Sequence, residues 1–120
     1  MATKPDIDFI EGPAPATLVI TDLVVGDGAE AVPGGRVEVH YVGVDFETGE
    51  QFDASWDRGE SITFPLDSLI PGWQQGIPGM KVGGQRLLEI PGELAYGEGG
   101  TTGIGPNETL AFVIQLNAIG

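Results

Sequence analysis

The stretch Ser68–Met80, "SLIPGWQQGIPGM", decides how this chain folds. Its two prolines and three glycines break the backbone as a surface turn would. Yet it also carries Leu69, Ile70, Trp73, Ile77 and Met80. Proline has no N–H to donate and a φ already near the helical value, so Pro71 is suited to a first helical position. Ile70 then stands at the helix entrance, and "PGWQQGI" makes about two turns, ended by Gly76 and Pro78-Gly79. Ile70 and Trp73 are three apart and share a face. The first N–H groups of a helix lack intrahelical acceptors. The Ile70 N–H, set beside two apolar side chains, is therefore a donor open to a ligand carbonyl. The same residues also read as ordinary packing, with Trp73 filling the space between a helix and a sheet. Taken alone, the stretch leaves both readings open.

Outward from it, the periodicity is that of strands. "TLVITDLVVGDG" places Leu18 and Ile20, then Leu23 and Val25, on a strand with a local irregularity, closed by Gly26 and Gly28. "GGRVEVHYVGV" alternates, with Val37, Val39 and Tyr41 on one face and Glu38 and His40 on the other. "FETGEQF" is a turn around Thr48-Gly49, and "SITFPL" sets Ile62 and Phe64 on one face of a short strand. "GGQRLLEIP" is a further strand, and "LAYGEGGTTGIGPNE" a long glycine-rich loop. "TLAFVIQLNAI" is a last strand with Leu110, Phe112, Ile114 and Leu116 on one face. These elements predict an α+β domain over residues 17–120 with one antiparallel sheet and one short helix. A proline-rich extended arm, residues 1–16, precedes it.

Of 120 residues, 20 are glycine and 9 are proline, which favours a β-rich fold with many turns over a helical bundle. The net charge of −13 repels phosphate backbones and anionic lipid, so neither nucleic acid nor membrane is an expected partner. The chain has no cysteine, which excludes disulfides and thiol chemistry and fits a reducing compartment. No basic segment followed by an apolar one begins the sequence, so the expected location is the cytoplasm. The single histidine, His40, falls on the polar face of its strand, where it reads as a surface group. Without cysteine, and with one histidine, the usual zinc sites lack ligands. No GxSxG elbow, no GxGxxG spacing, no P-loop lysine and no calcium loop is present. Two options remain: binding, or a catalysis without nucleophile, cofactor or acid–base pair.

In combination the segments are specific. "HYVGV", "FDAS", "IPGWQQGIPGMKVGG", "AYG" and "ETLAFVIQL" follow one another at a spacing that resembles the FK506-binding-protein (FKBP) family of peptidyl-prolyl isomerases over roughly residues 18–119. The resemblance implies a curled antiparallel sheet wrapped around one short helix, an aromatic pocket between them, and acceleration of X-Pro cis/trans rotation. It implies proline-containing peptides or proteins as clients, macrolides such as FK506 or rapamycin as ligands, no cofactor or metal, and a monomer. Carried over residue by residue, it gives Trp73 as the pocket floor and Tyr41, Phe52 and Phe112 as walls. Ile62 and Leu69 line it further. The Ile70 N–H and the Tyr96 hydroxyl bond carbonyls, and Ile104 covers the pocket from above. Asp53 stands at the edge, with Arg58 and Tyr41 as partners. Beside the family pattern, Trp56 adds an aromatic near the mouth, as a client contact or, the preferred reading, a cover for Arg58. Three features depart from the family pattern: "FPLDSLI" is shorter by about two residues, Thr101 replaces a larger side chain, and Gly105 follows Ile104. Thr101 and Gly105 keep one alternative in view, a low-activity module that holds such clients or macrolides, and the net charge a second, a chaperone acting through its acidic surface.

Overall fold

The computed structural model describes residues 17–46, 51–95 and 109–119, and of Arg58 only the backbone. Its strands are β1 (Val19–Val24), β2 (Arg36–Asp45), β3 (Gln51–Ala54), β4 (Ile62–Pro65), β5 (Gln85–Ile90) and β6 (Leu110–Ile119). Two short helices, α1 (Ser55–Arg58) and α2 (Pro71–Gly76), complete it, with single 3-10 turns at Leu66–Ser68 and Gly92–Leu94. The Thr48-Gly49 turn, the arm 1–16, and Tyr96, Thr101, Ile104 and Gly105 lie outside the described residues.

The two longest alternating segments pair with each other. β2 and β6 run antiparallel from Val37↔Ile119 to Asp45↔Leu110. Alternation puts Val37, Val39 and Tyr41 of β2 and Leu110, Phe112, Ile114 and Leu116 of β6 on one face, and all are buried. The sheet order is β1-β5-β6-β2-β3, and β4 also pairs with β2. β3 meets β2 at Val42 and Gly43, and β4 meets it at Arg36 to Val39. Both therefore use the same edge of β2, one after the other. Between them the chain leaves the sheet for the one turn of α1, which Gly59 ends in the left-handed conformation at φ 72°. The sequence reading has one helix, so α1 is an addition to it.

α2 lies across the core face. Pro71 is at its first position, and Ile70, extended at φ −60° and ψ 150°, caps it. Helix and sheet approach closely because two glycines, one turn apart, face the sheet. A Cβ on Gly72 would stand 2.5 Å from Ile90 Cγ2, and one on Gly76 would stand 2.7 Å from both Leu88 methyl carbons. Gly76 belongs to the last turn rather than ending the helix as expected: Ile77 still donates to the Trp73 carbonyl at 3.0 Å. Arg86 of β5 closes the C-terminal end. Its Nη1 donates to the carbonyls of Gly76 at 2.9 Å and Pro78 at 3.2 Å, while Nε meets Asp22 of β1 at 2.7 Å.

The other face of the sheet corrects two expectations. His40 is not a surface group: it is 8% exposed, with Nδ1 2.9 Å from the Ser55 hydroxyl. Trp56 does not stand at the pocket mouth. It stacks on His40 at 4.9 Å and packs beside Val42, Ala54 and Val113, on the face opposite the main core. The cause of both is α1, which folds back over that face and covers what alternation had marked as polar.

Candidate functional site

Between α2 and the curled sheet lies a cavity of about 190 Å³. Eight of the described residues line it: Tyr41, Phe52, Asp53, Phe64, Leu69, Ile70, Trp73 and Phe112. They come from β2, β3, β4, the approach to α2, α2 itself and β6, so no local segment contains the site.

Trp73 is the hub of the aromatic lining. Its ring is crossed nearly at right angles by Tyr41 at 5.2 Å, Phe112 at 5.2 Å and Phe64 at 6.0 Å between centroids. Phe52 and Phe112 add a further edge-to-face contact at 5.5 Å. Such crossed pairs place ring edges against ring faces, the favoured electrostatic arrangement, and hold one another's orientation. The Trp73 Nε1 is buried, with no hydrogen-bond partner among the described residues. The indole thus presents its apolar ring to the cavity and keeps its N–H away.

Phe52 and Asp53 are consecutive on β3 and would point to opposite faces of a regular strand. They share the cavity because the register slips between them: Val44 faces Gln51 while Gly43 faces Asp53. The extra residue is a bulge that turns both side chains to one side. Asp53, the one carboxylate among the described lining residues, accepts a hydrogen bond from the Tyr41 hydroxyl at 2.5 Å. That bond ties β2 to β3 across the cavity's edge. Gly43 keeps the opening between Phe52 and Phe112, since a Cβ there would lie 2.7 Å from each ring.

The approach to Leu69 is held by backbone hydrogen bonds. Leu66, fully buried, anchors the 3-10 turn by donating from its N–H to the Gly35 carbonyl at 2.8 Å. Leu69 N–H then returns to the Leu66 carbonyl at 3.1 Å, and Leu69 and Ile70 follow directly into the cavity wall.

Of the residues expected from sequence, Tyr41, Phe52, Asp53, Leu69, Ile70, Trp73 and Phe112 are brought together here. Ile62 is not among the lining residues. It packs against the main core, while the longer Phe64, two residues on, reaches Trp73 and takes that wall. Phe64 was readable as a face-mate of Ile62, but nothing in the periodicity says which of the two reaches the cavity. The Arg58 side chain, Tyr96 and Ile104 fall outside the described residues. Among the described residues, no group of three His, Asp or Glu side chains is arranged to hold a metal ion.

Comparison with known proteins agrees with this geometry. Residues 28–117 match the family model of the FKBP-type peptidyl-prolyl cis-trans isomerases. The chain is 64% identical over 113 residues to a probable FK506-binding protein of Corynebacterium glutamicum, covering 94% of this chain and 96% of that one. It is 54% identical to an FK506-binding protein of Streptomyces anulatus, covering 97% of each. Among solved structures it resembles FkpA from Escherichia coli, with a TM-score of 0.80 and 41% identity over 85% of this chain and 47% of that one. It also resembles a peptidyl-prolyl cis-trans isomerase from Pseudomonas syringae, with a TM-score of 0.79 and 35% identity over 98% of this chain and 83% of that one. With the sheet, the crossing helix and the aromatic cavity all in place, the chain belongs to the FKBP-type peptidyl-prolyl cis-trans isomerases.

Proposed function

We propose that the cavity seats the proline of an X-Pro segment on the Trp73 ring, with the preceding peptide bond between Tyr41, Phe52 and Phe112. The observation that carries this reading is the composition of the lining among the described residues: five aromatic rings, two aliphatic side chains, and one carboxylate already engaged by Tyr41.

The chemistry needs no more than such a wall. Rotation about the peptide bond is opposed by a resonance barrier of about 18–20 kcal/mol. The planar amide is charge-separated and gains from water; the twisted amide has lost that resonance and gains less. An apolar cavity therefore penalises the planar form more than the twisted one. A thousandfold acceleration needs only about 4 kcal/mol of such a difference. A hydrogen bond from the Ile70 N–H to a substrate carbonyl holds the segment while the bond turns. Tyr96 and Ile104, carried over from the family pattern, complete the reading as a second donor and a cover. The same cavity is where FK506 or rapamycin would bind, in competition with proline-containing clients whose folding the enzyme assists. The names of the two most similar relatives described above support this ligand class.

The test is isomerisation of an X-Pro tetrapeptide, followed by NMR exchange, with and without FK506. Acceleration abolished by FK506 and reduced at least about tenfold by Trp73→Leu is expected. Full activity in Trp73→Leu would remove Trp73 from the site, and peptide binding without faster exchange would leave a holding module.

A further inference from the structure

We infer that Gln74 is the positioning residue that aims the Ile70 N–H at a substrate carbonyl. The inference rests on the isomerase reading of the cavity and adds a residue that does not line it. Gln74 lies one residue beyond Trp73 on α2, with its side chain exposed. Its Nε2 donates to the Leu69 carbonyl at 2.6 Å, and more distantly to the Asp67 carbonyl at 3.4 Å. Its own backbone N–H donates to the Ile70 carbonyl at 3.2 Å. One residue thus grips the peptide units on both sides of Ile70.

The consequence follows from peptide geometry. The Leu69 C=O and the Ile70 N–H belong to the same peptide unit, which is planar and trans. In such a unit the two groups point in opposite directions. Holding the carbonyl oxygen on the helix side therefore fixes the direction of the N–H on the other side. Pro71 restricts Ile70 chiefly in ψ, observed at 150°, and leaves a wider range to φ, the torsion about which the preceding unit turns. Neither Leu69 O nor Ile70 N makes a backbone hydrogen bond among the described residues. Among the described residues the Gln74 amide supplies this unit's hydrogen bond, and without it the Leu69 oxygen is left to water. A carboxylate at the same place has no donor for the Leu69 oxygen and would repel it.

The experiment compares the unmodified protein with Gln74→Glu, nearly isosteric but without a donor, and Gln74→Lys, which keeps one. Each is measured for kcat/KM on an X-Pro tetrapeptide, for melting temperature, and for the shift of the Ile70 amide proton on titration with that peptide. Gln74→Glu is expected to lower kcat/KM about threefold to tenfold, the effect of one hydrogen bond of ordinary net strength. It should also shrink the peptide-induced downfield shift at Ile70. Gln74→Lys should restore both to within about twofold, with melting temperatures unchanged, which a merely structural role would not produce. The inference is overturned if Gln74→Glu keeps full kcat/KM and the full Ile70 shift, or if both variants lose alike. It is overturned too if the Ile70 amide of the unmodified protein ignores the peptide. Should the unmodified protein bind the peptide without accelerating exchange, the isomerase reading falls, and the Ile70 shifts of the three proteins still decide the role of Gln74.

Discussion

Replacing Gly43 by alanine tests the cavity walls through a single methyl group. The added Cβ would sit 2.7 Å from Phe112 Cε1, 2.7 Å from Phe52 Cζ and 2.9 Å from Phe112 Cδ1. Carbon atoms settle at about 3.5–4.0 Å, so the two rings must together make room of about 0.8 Å. Phe112 has little freedom, being 3% exposed and crossed by Trp73 at 5.2 Å. The half-buried Phe52 yields more easily. Overpacking of this kind costs about 1–3 kcal/mol. Gly43 is not one of the described positive-φ glycines, so alanine brings no backbone strain. Its lower unfolded-state entropy offsets about 0.5–1 kcal/mol. The net loss is at most about 2.5 kcal/mol and centres near 1 kcal/mol, a fall in Tm of about 4 °C for a domain of this size. Because displacement of a positioning group by about 1 Å can cost up to a hundredfold, kcat/KM should fall about tenfold. The assay is a thermal melt followed by X-Pro exchange on the folded variant. Adding Phe52→Leu should restore most of the lost stability and none of the activity. An unchanged or raised Tm with kcat/KM within about twofold of the original would refute the claim that Gly43 spaces these rings.

Two further outcomes concern what holds the cavity from behind. Arg86→Met should destabilise by about 2–3 kcal/mol, since it strips the Gly76 and Pro78 carbonyls of a charged donor, whereas Asp22→Asn should cost under about 1 kcal/mol because Asp22 is 46% exposed. Equal losses in chemical denaturation would show that the ion pair, not the helix closure, is what Arg86 supplies. Ser55→Ala should cost about 1–3 kcal/mol, because the Tyr41 N–H, 2.7 Å from the Ser55 hydroxyl, and His40 Nδ1 both lose a buried partner. A melting temperature within about 1 °C of the original would mean that water replaces the hydroxyl.

The walls of the cavity were legible where one period governs a segment. Val37 to Tyr41 and Leu110 to Leu116 each alternate, and their buried face follows from that alone. Pro71 marked the start of α2 by its chemistry. Phe52 and Asp53 were readable only by resemblance, since strict alternation would separate them; the bulge that unites them is a property of pairing with β2. His40, Trp56 and Ser55 were out of reach for a related reason. Polar alternation marks a face as outward, but whether a later turn covers it is decided by tertiary packing. The choice between Ile62 and Phe64 depended on reach toward Trp73, a distance no local pattern contains.

The glycines and prolines around Trp73 are therefore part of the site's construction. A cavity between a helix and a sheet needs the helix close at one point and held off at another. Gly72 and Gly76 bring α2 down onto Leu88 and Ile90, where any side chain would collide. Trp73, on the same short helix, then crosses Tyr41, Phe64 and Phe112 nearly at right angles instead of filling the space flat. Pro71 stops the helix from extending backward, so Ile70 keeps an N–H that no helical carbonyl claims. Close contact behind Trp73 and an interrupted backbone before it make one arrangement, and lengthening the helix by a turn at either end would remove the donor or the room beside it.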